Sequence, residues 1–145
     1  MNNNEFVTLA HGAGGRQTAE LIDRVFKAHF SNPDFTGDDA AVLPVDAGKI
    51  AFTTDGFIVS PFEFPGGNIG KLSICGTVND LACMGAKPLY LSCAFVIEEG
   101  FPLAKLEEIA AAMLMPKVLL QQCASRLWQA HLSENFHTLE YIVVL

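Results

Sequence analysis

Apolar positions between residues 17 and 30 recur at helical spacing. Leu21, Ile22, Val25, Phe26 and Phe30 make one stripe, and Asn32-Pro33 ends the run. Two strand-like runs follow. Ala40 to Val45 reads as a short strand after a Gly37-Asp38-Asp39 turn, and Ile50 to Ser60 as a longer one stopped by Pro61. Asn68 is a good N-cap for a helix reaching Met84, with Gly85 as its stop and Pro88 beyond. Leu89, Leu91, Cys93 and Phe95 alternate with Tyr90, Ala94 and Val96. Leu89 to Glu98 therefore predicts a strand apolar on both faces, central in a sheet or held between layers. Pro102 opens a helix running to Leu114, with Leu103, Leu106, Ile109 and Met113 inward.

The helix over 68–84 lacks the usual alternation of apolar and charged faces. Its residues are small or apolar almost throughout, which predicts burial on most sides. Ile74, Cys75, Val78, Leu81 and Ala82 share one face; Asp80 points nearly opposite, with Asn79 between them. A carboxylate sheltered there needs a cation, a proton or several donors.

Character changes near Met115. Residues 115–145 contain no glycine and hold the only tryptophan, Trp128, while Pro116 breaks or kinks the preceding helix. Val118 to His131 has the spacing of an amphipathic helix, and Leu139 to Leu145 is a strand candidate. Left unpaired, Thr138 to Leu145 would be an aggregation-prone edge. The expected division is 1–114 and 115–145.

Composition bounds the class of function. Half of the 145 residues are hydrophobic and 17% charged, enough for one domain with a sizeable core. A net charge of -7 argues against a nucleic-acid surface, though not against a nucleotide whose phosphates arrive with metal ions. The four cysteines show neither C-x-x-C nor short Cys/His spacing, so reduced, buried thiols in a cytoplasmic protein are expected. Met1 to Glu5 is polar with no apolar region after it, and no run reaches the roughly 18 residues of a membrane span.

The candidate chemistry is acidic and glycine-rich. Gly12, Gly14 and Gly15 form a loop before a helix, where backbone amides can cradle an anion or simply turn the chain. It is no dinucleotide fingerprint, because Gln17 stands where the last glycine belongs, and Pro65 and Leu72 likewise rule out a P-loop at Gly66 to Lys71. Lys71 near a helix start can meet a phosphate or water. Asp38 and Asp39 enter a strand from a turn, and Asp55 precedes a glycine where a strand can bend. Each acid alone fits turn chemistry; with Asp80 they suggest a magnesium–nucleotide site, since Mg2+ takes one or two carboxylates plus phosphate oxygens. His11 beside glycine reads as a loop residue. His29, His131 and His137 have no partner at ligand spacing.

Six stretches in order carry a family resemblance: Leu9 to Gly15, Gly37 to Val42, Thr53 to Asp55, Phe62 to Leu72, Val78 to Pro88 and Tyr90 to Ser92. They resemble the ATP-dependent family of aminoimidazole ribonucleotide synthetase, selenide-water dikinase, thiamine-monophosphate kinase and the hydrogenase maturation factors of HypE type, nearest to the last. The resemblance spans residues 6–114. It implies an α+β domain with a mixed or antiparallel sheet flanked by helices and paired across a homodimer. It implies ATP and Mg2+, with Asp38, Asp39, Asp55 and Asp80 toward the metal and Gly12, Gly14, Gly15, Lys71 and Asn79 toward the nucleotide. In the HypE branch the reaction is ATP-dependent dehydration of a cysteine-bound carboxamide to a thiocyanate, the source of the cyanide ligands of nickel-iron hydrogenase. Its partners are a carbamoyltransferase and the iron-cyanide scaffold complex.

The family's later Gly-Asp-Thr-Lys stretch, second domain and C-terminal carrier cysteine have no counterpart here. The expectation is an N-terminal part, truncated or frame-shifted after Met115 and inactive alone. The alternatives are a non-catalytic dimerisation or docking module, and a relative acting as a small-molecule kinase.

Overall fold

The computed structural model describes residues 5–31, 40–44 and 48–114, together with the backbone of 139–141. Three helices carry the core. Helix α1 covers residues 16–30: Arg16–Leu21 is α-helical, Ile22–Lys27 widens to a π-helix, and Ala28–Phe30 returns to α. Helix α2 is Ile69–Cys83 and α3 is Leu103–Leu114. Val25 and Phe30 of α1, Ile74 and Val78 of α2, and Leu103, Leu106, Ala110 and Met113 of α3 meet in one buried cluster. All four residues expected to face inward from α3 do so.

The expected start and stop of α2 are both present. Asn68 is extended, and its side-chain oxygen accepts from the Lys71 amide at 3.1 Å. Gly85 stands at φ +73°, a conformation that disfavours any side chain, and turns the chain out of the helix. The predicted burial of α2 is met in part: Gly70, Ile74, Val78 and Leu81 are buried, Leu72, Asn79, Asp80 and Cys83 are exposed, and the rest are half-buried.

The strands form two small sheets. β1 (Ile50–Ala51), β4 (Ala86–Pro88) and β5 (Leu139–Tyr141) make a parallel sheet in the order β1-β5-β4. β2 (Glu63–Phe64) and β3 (Gly67–Asn68) make an antiparallel hairpin leading into α2. An antiparallel bridge between Phe6 and Pro102 ties the N-terminal segment to the start of α3, with Val7 donating to the Phe101 carbonyl at 2.8 Å. Lys105 of α3 reaches Glu63 of the hairpin and Glu108 of its own helix, both at 2.8 Å. Hydrogen bonds to these carboxylates hold the lysine pKa above its ordinary value and the Glu108 pKa below.

The architecture is mixed α+β, as expected, but the long strands are shorter than their pattern implied. Of residues 50–60 only Ile50–Ala51 joins a ladder, residues 40–44 join none, and Leu89 to Glu98 is not a strand among the described residues. The reason lies in what covers them. Leu91, Phe95 and Ile97 pack on the helical core, while Val96 between them is fully exposed. The expectation of burial on both faces is thus corrected to one face and part of the second within a single chain. On the second face Tyr90 packs on Leu81 and Ala86 and donates its hydroxyl to the Pro44 carbonyl at 3.3 Å, whereas Ala94 and Val96 are exposed. The helix expected over 118–131, the stop at Asn32-Pro33 and the bulk of the 115–145 tail lie outside the described residues.

Two glycines of α2 set how closely it is packed. A methyl on Gly70 would strike the Ile109 carbonyl oxygen of α3 and come within 3.0 Å of the Ile109 side chain. A methyl on Gly76 would meet the Phe57 ring edge at 2.6 Å. Each Gly→Ala change gains about 1 kcal/mol of helix propensity. At Gly70 the obstacle is backbone, so we expect Gly70→Ala to lose about 1–3 kcal/mol net in urea unfolding. At Gly76 the obstacle is a ring that can swing away, so Gly76→Ala is expected to stay within about 1 kcal/mol of the parent.

Candidate functional site

The acids expected to share a site are placed by two elements. β1 runs out at Ala51, and the chain continues through Thr53 and Asp55. Helix α2 presents Asp80 in its last turn, on the side away from Ile74, Val78 and Leu81. Thr53 Oγ1 donates to Asp80 Oδ2 at 3.4 Å, which brings the two elements together. Asp55 is exposed and makes no hydrogen bond or ion pair with the described residues. Asp38 and Asp39 lie outside the described residues.

One expectation needs correction. Asp80 is exposed, not sheltered, so its charge needs no counter-ion to be tolerated in the single chain. The cause is its position: the last turn of α2 projects past the main core cluster, and only Leu81 in it is fully covered, by Ala86 and its neighbours. Asn79 beside it is exposed as well.

Lys71 is at the other end of the same helix. Nine residues separate it from Asp80, about 13.5 Å along the axis at 1.5 Å per residue. Its ammonium donates to the Gly66 carbonyl at 2.8 Å, folding the side chain back over the hairpin turn. Within one chain, Lys71 and Asp80 do not meet around one phosphate group. The glycine loop is exposed at Gly12, Gly14 and Gly15. The Gly14 amide donates to Thr18 Oγ1 at 3.0 Å, and Leu9–Gly12 forms a 3-10 turn instead of an open loop. His11 in that turn is buried, and its Nδ1 accepts from the Thr8 amide at 2.9 Å. This closing of the turn was invisible in a histidine flanked by glycine.

An open cavity of about 440 Å3 lies beside this turn, floored by Leu21, Phe26 and Phe95 and edged by Gly12 and Cys93. Neither Asp55 nor Asp80 lines it. Desolvation raises the Cys93 thiol pKa, although the residue as a whole is exposed. Cys83 is also exposed and Cys75 half-buried, all three free, so the expectation of buried cysteines is met only in part. Cys123 lies outside the described residues.

The donor set near Asp80 is one carboxylate with a hydroxyl attached to it. Among the described residues no three His, Cys, Asp or Glu side chains stand close enough to hold a metal by themselves. All donors are hard oxygens, which suits Mg2+ only if phosphate and water complete its shell. The same described residues contain no helix long and apolar enough to cross a membrane.

The N-terminal domain model of the AIR synthase related proteins matches residues 37–115, more than half of the chain, and the chain belongs to that family. Within it, the chain is a homologue of carbamoyl dehydratase HypE. It is 52% identical to HypE of Rhizobium leguminosarum bv. viciae over 108 residues, 74% of this chain and 31% of that protein. To HypE of Escherichia coli K12 it is 45% identical over 119 residues, 78% of this chain and 34% of that protein. The crystal structure of hydrogenase maturation protein HypE in complex with ATP matches with a TM-score of 0.70 at 37% identity, covering 95% of this chain and 37% of that one. The chain thus spans about a third of the length of these relatives.

The Asn68 cap sets where α2 begins and hence where Lys71 and the helix's glycine face lie. Asn68→Ala is expected to lower stability by about 1 kcal/mol, and Asn68→Ser to be close to neutral, in chemical denaturation.

Proposed function

We propose that this chain is the N-terminal, ATP-site part of a HypE-type carbamoyl dehydratase, acting with Mg2+ in the dehydration of a cysteine-bound carboxamide to a thiocyanate. The observation that carries the proposal is the likeness, at 37% identity and a TM-score of 0.70, to a HypE solved with ATP. In this reading Asp80 offers its carboxylate to a magnesium ion that already carries phosphate oxygens. Thr53 fixes the carboxylate by holding one of its oxygens, and Asp55, two residues along the same segment, adds a second acid nearby. Asp38 and Asp39 complete the acidic side, and Asn79 serves the nucleotide. Gly12, Gly14, Gly15 and Lys71 serve phosphate groups further along the nucleotide. The setting is cytoplasmic, and the partners are those of hydrogenase maturation: a carbamoyltransferase and the iron-cyanide scaffold complex.

A second reading, a pairing module, is favoured by a specific surface. Phe52 is 73% exposed, Ile58 101% and Val96 102%, on segments whose backbone groups form no ladder among the described residues. An apolar face with an open edge is suited to pairing with another copy of itself. The two readings are compatible, since the distance between Lys71 and Asp80 leaves room for a second copy to bring the missing half of a polyphosphate site.

Calorimetric titration with magnesium and a non-hydrolysable ATP analogue tests the first reading. Binding that falls at least tenfold in Asp80→Ala supports it; binding unchanged by Asp80→Ala would remove Asp80 from the site. Analytical sedimentation tests the second. The parent is expected to be a dimer at micromolar concentration and Ile58→Asp/Val96→Asp a folded monomer. A monomeric parent would refute pairing through this face.

A further inference from the structure

The parallel sheet is held together by a strand that the family likeness does not include. Among the described residues β1 and β4 do not pair with each other; each pairs only with β5, and β5 lies between them. The registers are Ile50 with Glu140 and Ala51 with Tyr141 on one side, and Ala86 with Leu139, Lys87 with Glu140 and Pro88 with Tyr141 on the other. Without β5 no sheet would remain here, only two short stretches with open edges.

The likeness in sequence and the likeness in shape end at different places. The family match stops at residue 115, and the sequence matches to the HypE proteins of R. leguminosarum and E. coli cover 74% and 78% of the chain. The match to the HypE crystal structure covers 95%, leaving out about seven residues, whereas 30 residues follow position 115. The structural match therefore extends past the end of the family model.

We infer that β5 is a built-in strand donor: the C-terminal segment of this chain fills the slot between β1 and β4 through its backbone and completes the sheet within one molecule. Physical chemistry allows an unrelated sequence to do this. A central strand is held by N–H and C=O groups on both edges, and the ladder asks of the sequence only β-propensity and no proline. Residues 138–145 read Thr-Leu-Glu-Tyr-Ile-Val-Val-Leu, with neither glycine nor proline. The parallel direction also fits the chain order. Parallel neighbours need long crossovers, and α2 runs between β1 and β4 while α3 runs between β4 and β5.

The slot has a consequence for the acids. β1 leads within two residues to Thr53, and Asp80 precedes the turn into β4 by a few residues. Bridging β1 to β4 therefore fixes the two segments that carry the Thr53–Asp80 contact. The strand-donor role stands whether or not a nucleotide binds there.

Hydrogen exchange followed by mass spectrometry on the full chain tests it. In Glu140→Pro, which removes one ladder N–H, peptides over 48–52 and 85–90 should exchange at least tenfold faster, with α3 keeping its protection. Glu140→Val, which keeps the N–H, should match the parent. Exchange in both segments within twofold of the parent in Glu140→Pro would overturn the inference. Should the proline variant fail to fold, oxidation of the Ala51→Cys/Tyr141→Cys pair decides. A disulfide mapped between these positions within one chain supports it. No disulfide, or one formed only between two chains, overturns it.

Discussion

The backbone of α2 lies directly on the backbone of α3 where Gly70 faces the Ile109 carbonyl, and the rest of the molecule is arranged around that approach. A helix with ordinary side chains would sit further off, and Ile74 and Val78 would not reach the cluster made by Leu103, Leu106, Ala110 and Met113. The same helix accepts the Phe57 ring over Gly76, which holds the segment after β1 against it. Thr53 and Asp55 ride on that segment, and Asp80 ends the helix. Small residues in α2 are thus a packing requirement first, and through packing they determine where the acid stands.

The helices were legible because their signals are local. An asparagine cap, a stop glycine and an apolar stripe operate within a few residues, and α1, α2 and α3 fall within one residue or so of their predicted limits. The strands were less legible. Alternation in residues 89–98 was read as burial on both sides, yet one chain covers the side of Leu91, Phe95 and Ile97 and, on the other, Tyr90 but not Ala94 or Val96. Pattern records what a segment can bury, not which molecule buries it. The acids show the same limit. The uncharged surroundings of Asp80 suggested shelter, whereas its exposure depends on how far the core extends along α2, a tertiary property with no local sign. That Thr53 would meet Asp80 across 27 positions could not be read from spacing.

Membership in the AIR synthase related family and likeness to HypE agree with this picture. The chain corresponds to about a third of its relatives. Its described surface includes the exposed apolar side chains Phe52, Ile58 and Val96. The donor set at Asp80 has oxygens that suit a hard cation, but among the described residues they are too few without phosphate and water.

The grip of Lys71 on the Gly66 carbonyl has a mechanical implication. Gly66 stands at φ +100° in the β2–β3 turn, and the lysine stem lies across neighbouring Gly67. The ammonium is therefore a latch on the hairpin as well as a free-standing charge. An anion that draws Lys71 away must give up this hydrogen bond, so arrival of a phosphate at this end of α2 would be felt as loosening at the hairpin turn.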